Sequence, residues 1–459
     1  MTEEITILHT NDFHSHFENW PKIRRYLENQ KRQLVRENHT VLTFDIGDFM
    51  DRVHPLTEAT MGQANVDLLN EVGYDAVTVG NNEMLGFPHA VMDEMYERAN
   101  FKVLLANVKD RQTATTPKWA SQYQIIETKA KTKLGIIAFT APFILTFPLL
   151  GWDPQAASEA LKPLLAELTP KVDCIILLSH LGLPTDRFLA DNFSQLDLII
   201  GAHTHHLLPE GEERNHSLLA AAGKYGQHVG KISLTLEAGK IIAKQASVQS
   251  TADLPALPTD DVEIAKAYET GKKLLQKQKI ALLPTTYAKD SNAANRLVDL
   301  GLKALELKTN TKVAMLSTGL FLNDLPAGPV NAFDLHQLLP HAVHANRVTL
   351  TGENLLRLYR EVNKNRMFMR AAKIRGMGFR GDTWGEIIWD GLTQSKTGEL
   401  LVNGEALDLQ AKYQVGSLDH YLFIPYFPTL EIAGENELLY DTVFREDFGD
   451  YLAQKFPQL

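Results

Sequence analysis

Short apolar runs in the first half of the chain each end close to a polar residue. The runs have the length and composition of buried strands, and they are Ile5–Leu8, Val41–Phe44, Ala76–Val79, Ile175–Leu178 and Leu198–Ile200. The stretches between them with helical spacing are Lys22–Arg36, Met61–Glu71, His89–Ala99 and Ala156–Leu168. Because short buried strands that alternate with helices build layered sheets, this half is predicted to be an α/β domain.

A change of composition in the middle of the chain predicts a domain boundary. Thr251–Asp260 is rich in proline, and Val262–Ile280 has helical spacing with acidic residues first and lysines last, which suits the helix dipole. We therefore predict a first domain over residues 1–250, a linker and connecting helix over 251–282, and a smaller α/β domain over 283–459.

The charge and the cysteine content of the chain exclude some classes of protein. The 459 residues have room for roughly two to four domains. A total of 46 Lys and Arg against 56 Asp and Glu gives a net charge of −10, which disfavours a nucleic-acid binder, because such proteins need a basic surface. The single cysteine, Cys174, excludes an intrachain disulfide, fits a reducing compartment, and is predicted to be buried packing.

The N-terminal sequence and the hydropathy predict a cytoplasmic protein with no membrane partner. Residues 1–16 contain neither the basic nor the apolar segment of a secretory leader. The longest apolar runs, such as Cys174–Leu178, are far too short to span a bilayer.

Side chains that can bind metal ions stand at the ends of the five predicted strands. In chain order they are Asp12, His14, Asp48, Asn81, His180, His203 and His205. Ligands of such sheets lie beyond the carboxyl ends of the strands, so these side chains are expected at one edge. Together they could hold two divalent metal ions, and mixed imidazole and oxygen ligands suit Mn, Zn or Fe better than Mg or Ca.

Each of these residues has a simpler interpretation when it is taken alone. A single histidine after a strand is usually a structural residue, and Asp48 and Asn81 lie in turn sequences where their side chains could bond to the backbone. The prediction of a metal site depends on the conjunction, because five separate turns place a ligand at the same end of the strands.

The same residues stand in motifs that resemble those of the calcineurin-like metallophosphoesterases. The motifs are Asp12–His14, Gly47-Asp48, Gly80-Asn81, His180 and Gly201–His205. The segments His9–Glu18 and Leu219–Val229 are similar to the 5′-nucleotidase/UDP-sugar hydrolase branch of that family. The segments that resemble the 5′-nucleotidase C-terminal domain are Leu325–Gly328, Asp334–Pro340 and Val348–Gly352.

This resemblance implies a fold and a set of roles. The fold would be a four-layer β-sandwich flanked by helices, followed by a smaller α/β domain that binds substrate and rotates on the segment Thr251–Ile280. Asp12, His14, Asp48 and His205 would hold one metal ion. Asp48 would bridge to a second ion, whose other ligands would be Asn81, His180 and His203. A hydroxide that bridges the two ions would attack phosphorus.

The chain departs from the family at the position expected to assist the leaving group. The family's Gly-Asn-His-Glu is Gly80-Asn81-Asn82-Glu83 here, and the acidic partner of the missing histidine is Leu85. Asn82 occupies this catalytic position, but it cannot deliver a proton, a contribution worth about 10²–10⁴-fold in rate. Poor leaving groups should therefore react slowly, unless His16 or His206 substitutes.

The second half departs from the family as well. Where relatives carry Ser-Gly-Gly-Ile-Arg, the segment Ser317–Leu322 contains no arginine. The resemblance implies that a nucleobase stacks between two aromatic walls, and Arg375, Phe379 and Arg380 suit one of them. Phe423, in the run Tyr421–Phe427, is the candidate for the other, with Tyr421 and Tyr426 as alternatives. Such an aromatic run is also typical of a domain core.

The predicted function is hydrolysis of a small-molecule phosphoester, a nucleotide or a nucleotide derivative, at a dinuclear metal centre. An alternative within this chemistry is a pyrophosphatase for nucleotide sugars or dinucleotides, or a cyclic phosphodiesterase, because those substrates need less protonation of the leaving group. An alternative from another class is a weakly active sensor that binds metal and nucleotide. The full ligand set disfavours the sensor, since buried carboxylates and imidazoles are costly without an ion.

Overall fold

The chain divides into two units, Met1–Gly271 and Lys272–Leu459. The structure is a computed structural model that describes residues 2–290, 293–373 and 378–458. The boundary between the units falls within a helix, Pro258–Gln276.

The first unit combines strands with helices in an alternating order. Its strands are β1 (Thr2–Thr10), β2 (Thr40–Asp45), β3 (Ala76–Val77), β4 (Lys102–Val103), β5 (Val108–Asp110), β6 (Tyr123–Glu127), β7 (Lys133–Thr140), β8 (Trp152–Pro154), β9 (Cys174–His180), β10 (Leu198–Gly201), β11 (Glu212–Arg214), β12 (Ser217–Ala220), β13 (His228–Glu237) and β14 (Lys240–Ser250). Its helices are α1 (Trp20–Arg36), α2 (Pro55–Thr60), α3 (Gln63–Val72), α4 (Asn81–Gly86), α5 (His89–Met95), α6 (Ala157–Leu168) and α7 (Leu183–Asn192), and α8 (Pro258–Gln276) crosses the unit boundary.

Two six-stranded mixed sheets form the frame of this unit. Their strand orders are β14-β13-β1-β2-β3-β4 and β11-β12-β10-β9-β7-β6. Strands β1 to β4 pair in parallel in the first sheet, and β7, β9, β10 and β12 do so in the second. The carboxyl ends of parallel strands meet at the same edge of a sheet, and the loops after them can therefore share one site.

The alternation of side chains along the strands produces three layers of core. Ile176 of β9 and Ile7 of β1 belong to a cluster drawn from the facing sides of the two sheets. Ile175 of β9 packs with α6 and α7 on the outer side of its sheet, and Leu8 of β1 packs with α1 and α3 on the outer side of the other. Because successive residues of a strand point to opposite faces, one apolar run supplies two layers. The predicted four-layer sandwich is confirmed.

The second unit is a smaller α/β domain, as predicted. Its strands are β15 (Lys279–Leu283), β16 (Ala314–Ser317), β17 (Gly328–Asn331), β18 (Ala345–Thr351), β19 (Ile387–Asp390), β20 (Leu392–Gln394), β21 (Leu400–Val402), β22 (Glu405–Ala406), β23 (Lys412–Leu418) and β24 (Glu435–Leu439). Its helices are α9 (Leu297–Thr309), α10 (Ala332–Leu338), α11 (Gly352–Ala371), α12 (Pro428–Ala433) and α13 (Phe444–Lys455). The main sheet is mixed, in the order β19-β16-β23-β18-β24.

One predicted helix is too long at its C-terminal end. Lys279 and Ile280 belong to β15, which pairs antiparallel with β17. Helical spacing continued through these residues, but pairing with a strand about 50 residues away overrides a local preference. Among the described helices, none has the length and apolar character that a bilayer crossing requires.

Candidate metal centre

The seven predicted ligands lie beyond the carboxyl ends of β1, β2, β3, β9 and β10. Most of them are on the loops that follow the strands, but His180 is the last residue of β9 and Asn81 is the first residue of α4. Five of the seven have a left-handed backbone, with φ between 49° and 71°, and these are Asp12, His14, Asp48, His203 and His205. This conformation is uncommon for residues other than glycine and costs about 1–3 kcal/mol each, so surrounding contacts must hold it.

Hydrogen bonds between the loops supply those contacts. The backbone N–H of His14 donates to the carbonyl oxygen of Asp48 at 2.8 Å, and the N–H of Asp12 donates to that of Gly47 at 3.0 Å. The N–H of His203 donates to both oxygens of Asp12, at 3.0 and 3.1 Å. Three loops from distant parts of the sequence therefore support one another.

The first group of ligand atoms comes from the loops after β1 and β10. Asp12, His14 and His205 each offer one atom within 4.8 Å of the others. Nε2 of His14 and Nε2 of His205 lie 3.3 Å apart, and Asp12 Oδ1 lies 3.6 Å from His205 Nε2. Two facing ring nitrogens beside a carboxylate form a set that a shared cation would satisfy.

The second group adds the loops after β2, β3 and β9. Asp48 Oδ2 lies 3.4 Å from His180 Nε2 and 3.7 Å from His14 Nε2, so this carboxylate stands between the two groups. Asn81 Oδ1 lies 3.3 Å from His180 Nε2 and 2.7 Å from His203 Nδ1. The structure thus brings all seven predicted residues into one continuous array.

Burial and neighbouring charges shift the pKa values of these groups in both directions. Burial raises the pKa of Asp48, but His180 and His14 lower it by more, so its pKa lies below the usual range. Burial lowers the pKa of His180, and the charge of Asp48 raises it to about 10. Burial lowers the pKa of His203 and of His205 to about 4. The neutral imidazoles of His203 and His205 fit divalent transition metals, which require deprotonated ligands, and an ion bound beside His180 would have to displace the proton of that ring.

Asn82 contacts two of the predicted ligands. Its backbone N–H donates to Asp48 Oδ1 at 2.8 Å, and its side-chain Nδ2 lies 2.7 Å from His14 Nδ1. Leu85 is partly buried and packs with the apolar cluster of this unit, so no carboxylate stands at its position. The side chain of Asn82 is placed to orient His14.

The two histidines predicted as substitutes lie in different surroundings. His16 packs on Tyr225, with ring centroids 4.0 Å apart and the rings tilted by 31°, and its Nδ1 lies 2.6 Å from Glu18 Oε1. Tyr225 in turn contacts His14, at 5.6 Å between centroids. His206 is exposed and pairs with Thr204 Oγ1 at 2.8 Å. His16 is therefore the one of the two that packs on a neighbour of the ligand array.

Glu83 supports the loop of Asp48, a role that was not predicted from the sequence. Its carboxylate is 2% exposed and accepts three backbone N–H groups, from Asp48 at 3.0 Å, Met50 at 2.8 Å and Gly80 at 2.7 Å. A Cβ on Gly80 would overlap the Asp48 carboxylate, so glycine is required for this close approach. The sequence contains one signal for this role: Glu83 stands three residues after Gly80, as the glutamate of a capping box does.

Replacing Glu83 with glutamine is expected to weaken metal binding about 10- to 100-fold, because residues that hold ligands contribute on that scale. Glutamine has one acceptor oxygen, and its NH₂ would face a backbone N–H. The loop around Asp48 would then shift. Titration of the metal-free protein with MnCl₂ measures the affinity. Glu94→Gln, an exposed change on α5, is the matched control. Equal affinity in the wild type and in Glu83→Gln would contradict this role.

The predicted substrate-binding residues belong to the second unit. Arg375 lies outside the described residues. Phe379 is 3% exposed and stacks on His341 with ring centroids 4.9 Å apart, so it packs in the core. Arg380 is partly buried, and its backbone N–H donates to His341 Nδ1. Phe423 is 39% exposed and presents its ring at the surface. The role of these residues in binding substrate stays a prediction.

The chain matches two family models that together cover most of its length. The model described as calcineurin-like phosphoesterase matches residues 5–207, and the one described as 5′-nucleotidase, C-terminal domain, matches residues 277–423. The chain is 34% identical to YunD, an uncharacterized metallophosphoesterase of Bacillus subtilis, over 100% of both proteins. It is 29% identical to the 5′-nucleotidase of Bos taurus over 48% of this chain and 41% of that protein, and so spans less than half of that relative.

Solved structures share the fold over nearly the whole chain. A 5′-nucleotidase precursor from Thermus thermophilus has a TM-score of 0.59 at 22% identity, and the match covers 99% of this chain and 97% of that one. A putative 5′-nucleotidase from Staphylococcus aureus has a TM-score of 0.67 at 16% identity, over 100% and 99%. With the family models and the full-length relative, the resemblance predicted from the motifs is confirmed. The chain belongs to the calcineurin-like phosphoesterases that carry a 5′-nucleotidase C-terminal domain, and it is a hydrolase of phosphoester bonds.

Proposed function

We propose that this hydrolase acts on nucleotides or nucleotide derivatives at a centre of two divalent metal ions. The observation that carries the proposal is the continuous array of seven side chains, in which Asp48 stands between two groups of ligands. The nucleotide class is supported by the match of residues 277–423 to a 5′-nucleotidase C-terminal domain.

The distances support one assignment of ligands. Asp12, His14, His205 and Asp48 would hold one ion, and Asp48, Asn81, His180 and His203 would hold the other. Divalent ions bound there would lower the pKa of a water and polarise the phosphoryl oxygens. The chain itself supplies orientation: the carbonyl oxygen of Ile46 lies 2.7 Å from His180 Nδ1 and fixes the ring of His180.

A specific observation favours the second candidate function, a pyrophosphatase or cyclic phosphodiesterase. The side chain at position 82 is an amide that contacts His14, and an amide cannot protonate a departing alkoxide. A phosphate or a strained ring oxygen needs less assistance. Diphosphate derivatives and cyclic esters are therefore the substrates that this chain should hydrolyse most readily.

Metal analysis paired with a hydrolysis screen, in which the products are separated by chromatography, tests the proposal. Protein incubated with MnCl₂ and dialysed is expected to retain two ions per chain and to hydrolyse nucleotides or their derivatives. Retention of one ion or none would overturn the dinuclear centre. Hydrolysis of simple aryl phosphates alone would overturn the nucleotide class. We also propose a cytoplasmic location, supported by the single, buried Cys174.

A further inference from the structure

A tightly held turn lies beside the first group of ligands. It consists of Gly223, Lys224, Tyr225 and Gly226, between β12 and β13, and we call it the GKYG turn. Gly223, Tyr225 and Gly226 have positive φ of 76°, 60° and 65°. A left-handed tyrosine is unusual and needs support from its neighbours.

Hydrogen bonds tie this turn to the loop that carries Asp12. The N–H of Tyr225 donates to the carbonyl oxygen of Asp12 at 2.6 Å. Asn11 Nδ2 donates to the carbonyl oxygen of Gly223 at 2.7 Å, and Asn19 Nδ2 donates to that of Tyr225 at 2.8 Å. The turn therefore keeps a fixed position next to the ligands.

The ring of Tyr225 stands against the ligand histidines. Its centroid is 5.6 Å from that of His14 and 6.2 Å from that of His205. The ammonium of Lys224 lies over this ring, 4.4 Å from the centroid. The cation–π contact holds the charge of Lys224 close to the first group of ligands.

Lys224 is partly buried, and no carboxylate in the described chain lies within 4.0 Å of its ammonium. Lys308, which is also partly buried, has such a partner in Asp447 at 3.1 Å. A sheltered cation without a counter-ion gains most from an anionic ligand, because charge-assisted hydrogen bonds are the strong ones. The ring of Tyr225 separates the Lys224 ammonium from His14 and His205. The ammonium is therefore better placed to bind a group attached to the reacting phosphoryl group than to bind that phosphoryl group itself.

We propose that Lys224 binds the second phosphate of a diphosphate ester and makes the enzyme prefer diphosphates to monoesters. This inference rests on the proposed function, since the first phosphate is taken to bind at the ligand array. Lys224, which is neither a metal ligand nor part of the second unit, would then determine the substrate class.

Binding of two matched phosphonates tests the proposal. The full-length protein is loaded with Mn²⁺, dialysed to remove the free ion, which methylenediphosphonate would chelate, and titrated in a calorimeter with methylenediphosphonate and with methylphosphonate. Lys224→Gln is expected to weaken methylenediphosphonate binding about 10- to 100-fold, the scale of a hydrogen bond to a charged group, and to change methylphosphonate binding less than about threefold. Lys224→Arg, which keeps the charge, should retain most of the affinity. Lys240→Gln, a change of an exposed lysine at the β13–β14 turn, is the control and should change neither affinity.

Each other outcome overturns the inference in a recognisable way. Equal losses for both phosphonates in Lys224→Gln would mean that Lys224 contacts the first phosphate. Unchanged binding of both would mean that the lysine takes no part. Failure of the wild type to bind either phosphonate would instead reject the proposed function. Metal content, measured in each variant, separates these results from a loss of the ions.

Discussion

Replacing Asp48 with asparagine is expected to remove both metal loading and turnover. The Asp48 carboxylate lies 3.7 Å from His14 Nε2 and 3.4 Å from His180 Nε2, so its negative charge is available to both groups of ligands. Bound metal ions contribute several kcal/mol of transition-state stabilisation, so the loss of turnover should be about a thousandfold or more. Elemental analysis after incubation with MnCl₂ and the rate of phosphate release measure the two effects.

The control for this change is Asp67→Asn, at an exposed position of α3 in the same unit. It makes the same chemical substitution away from the ligand array and should leave metal content and turnover unchanged. Circular dichroism of Asp48→Asn would establish that the fold is retained. Turnover that survived in a folded Asp48→Asn protein would place the chemistry at another site.

Much of this site is predictable because each ligand follows its own strand. A buried strand can be recognised from its own short run of apolar residues. The direction of the chain then places the side chain that follows the strand at one edge of the sheet. His180 illustrates this, since Cys174–Leu178 predicts the strand and two more residues reach the array. The parallel pairing of β1, β2 and β3 then brings Asp12, Asp48 and Asn81 together.

The supporting contacts were not predictable, because they join residues that are distant in sequence. Glu83 holds the loop of Asp48 across 35 residues, and Tyr225 donates to Asp12 across more than 200. Spacing predicts which face of an element a residue occupies, whereas the partner of a buried carboxylate depends on how loops approach one another. Phe379 illustrates the same limit, since its burial on His341 comes from tertiary packing.

Hydrolysis is expected to depend steeply on the leaving group. With Asn82 in contact with His14, no proton donor stands at position 82, and general-acid assistance is worth about 10²–10⁴-fold. Nucleotide sugars and 2′,3′-cyclic nucleotides should therefore have a kcat/KM higher than that of nucleoside monophosphates by a factor within this range. A steady-state panel of the three substrate types, at one metal concentration and one pH, measures the ratio.

The cause of this dependence is tested by restoring a proton donor. Asn82→His should raise the kcat of monophosphates, whose alkoxide needs protonation, and leave that of p-nitrophenyl phosphate nearly unchanged, because p-nitrophenolate departs without a proton. Asn82→Gln is the matched control, since a longer amide still carries no proton to give. The absence of a carboxylate at Leu85 should keep the gain of Asn82→His below the full range, because the new imidazole has no acidic partner to orient it. Monophosphates that already react faster than diphosphates in the wild type would mean that another group protonates the leaving oxygen. His16, which packs on Tyr225 beside the ligands, would then be the first residue to substitute.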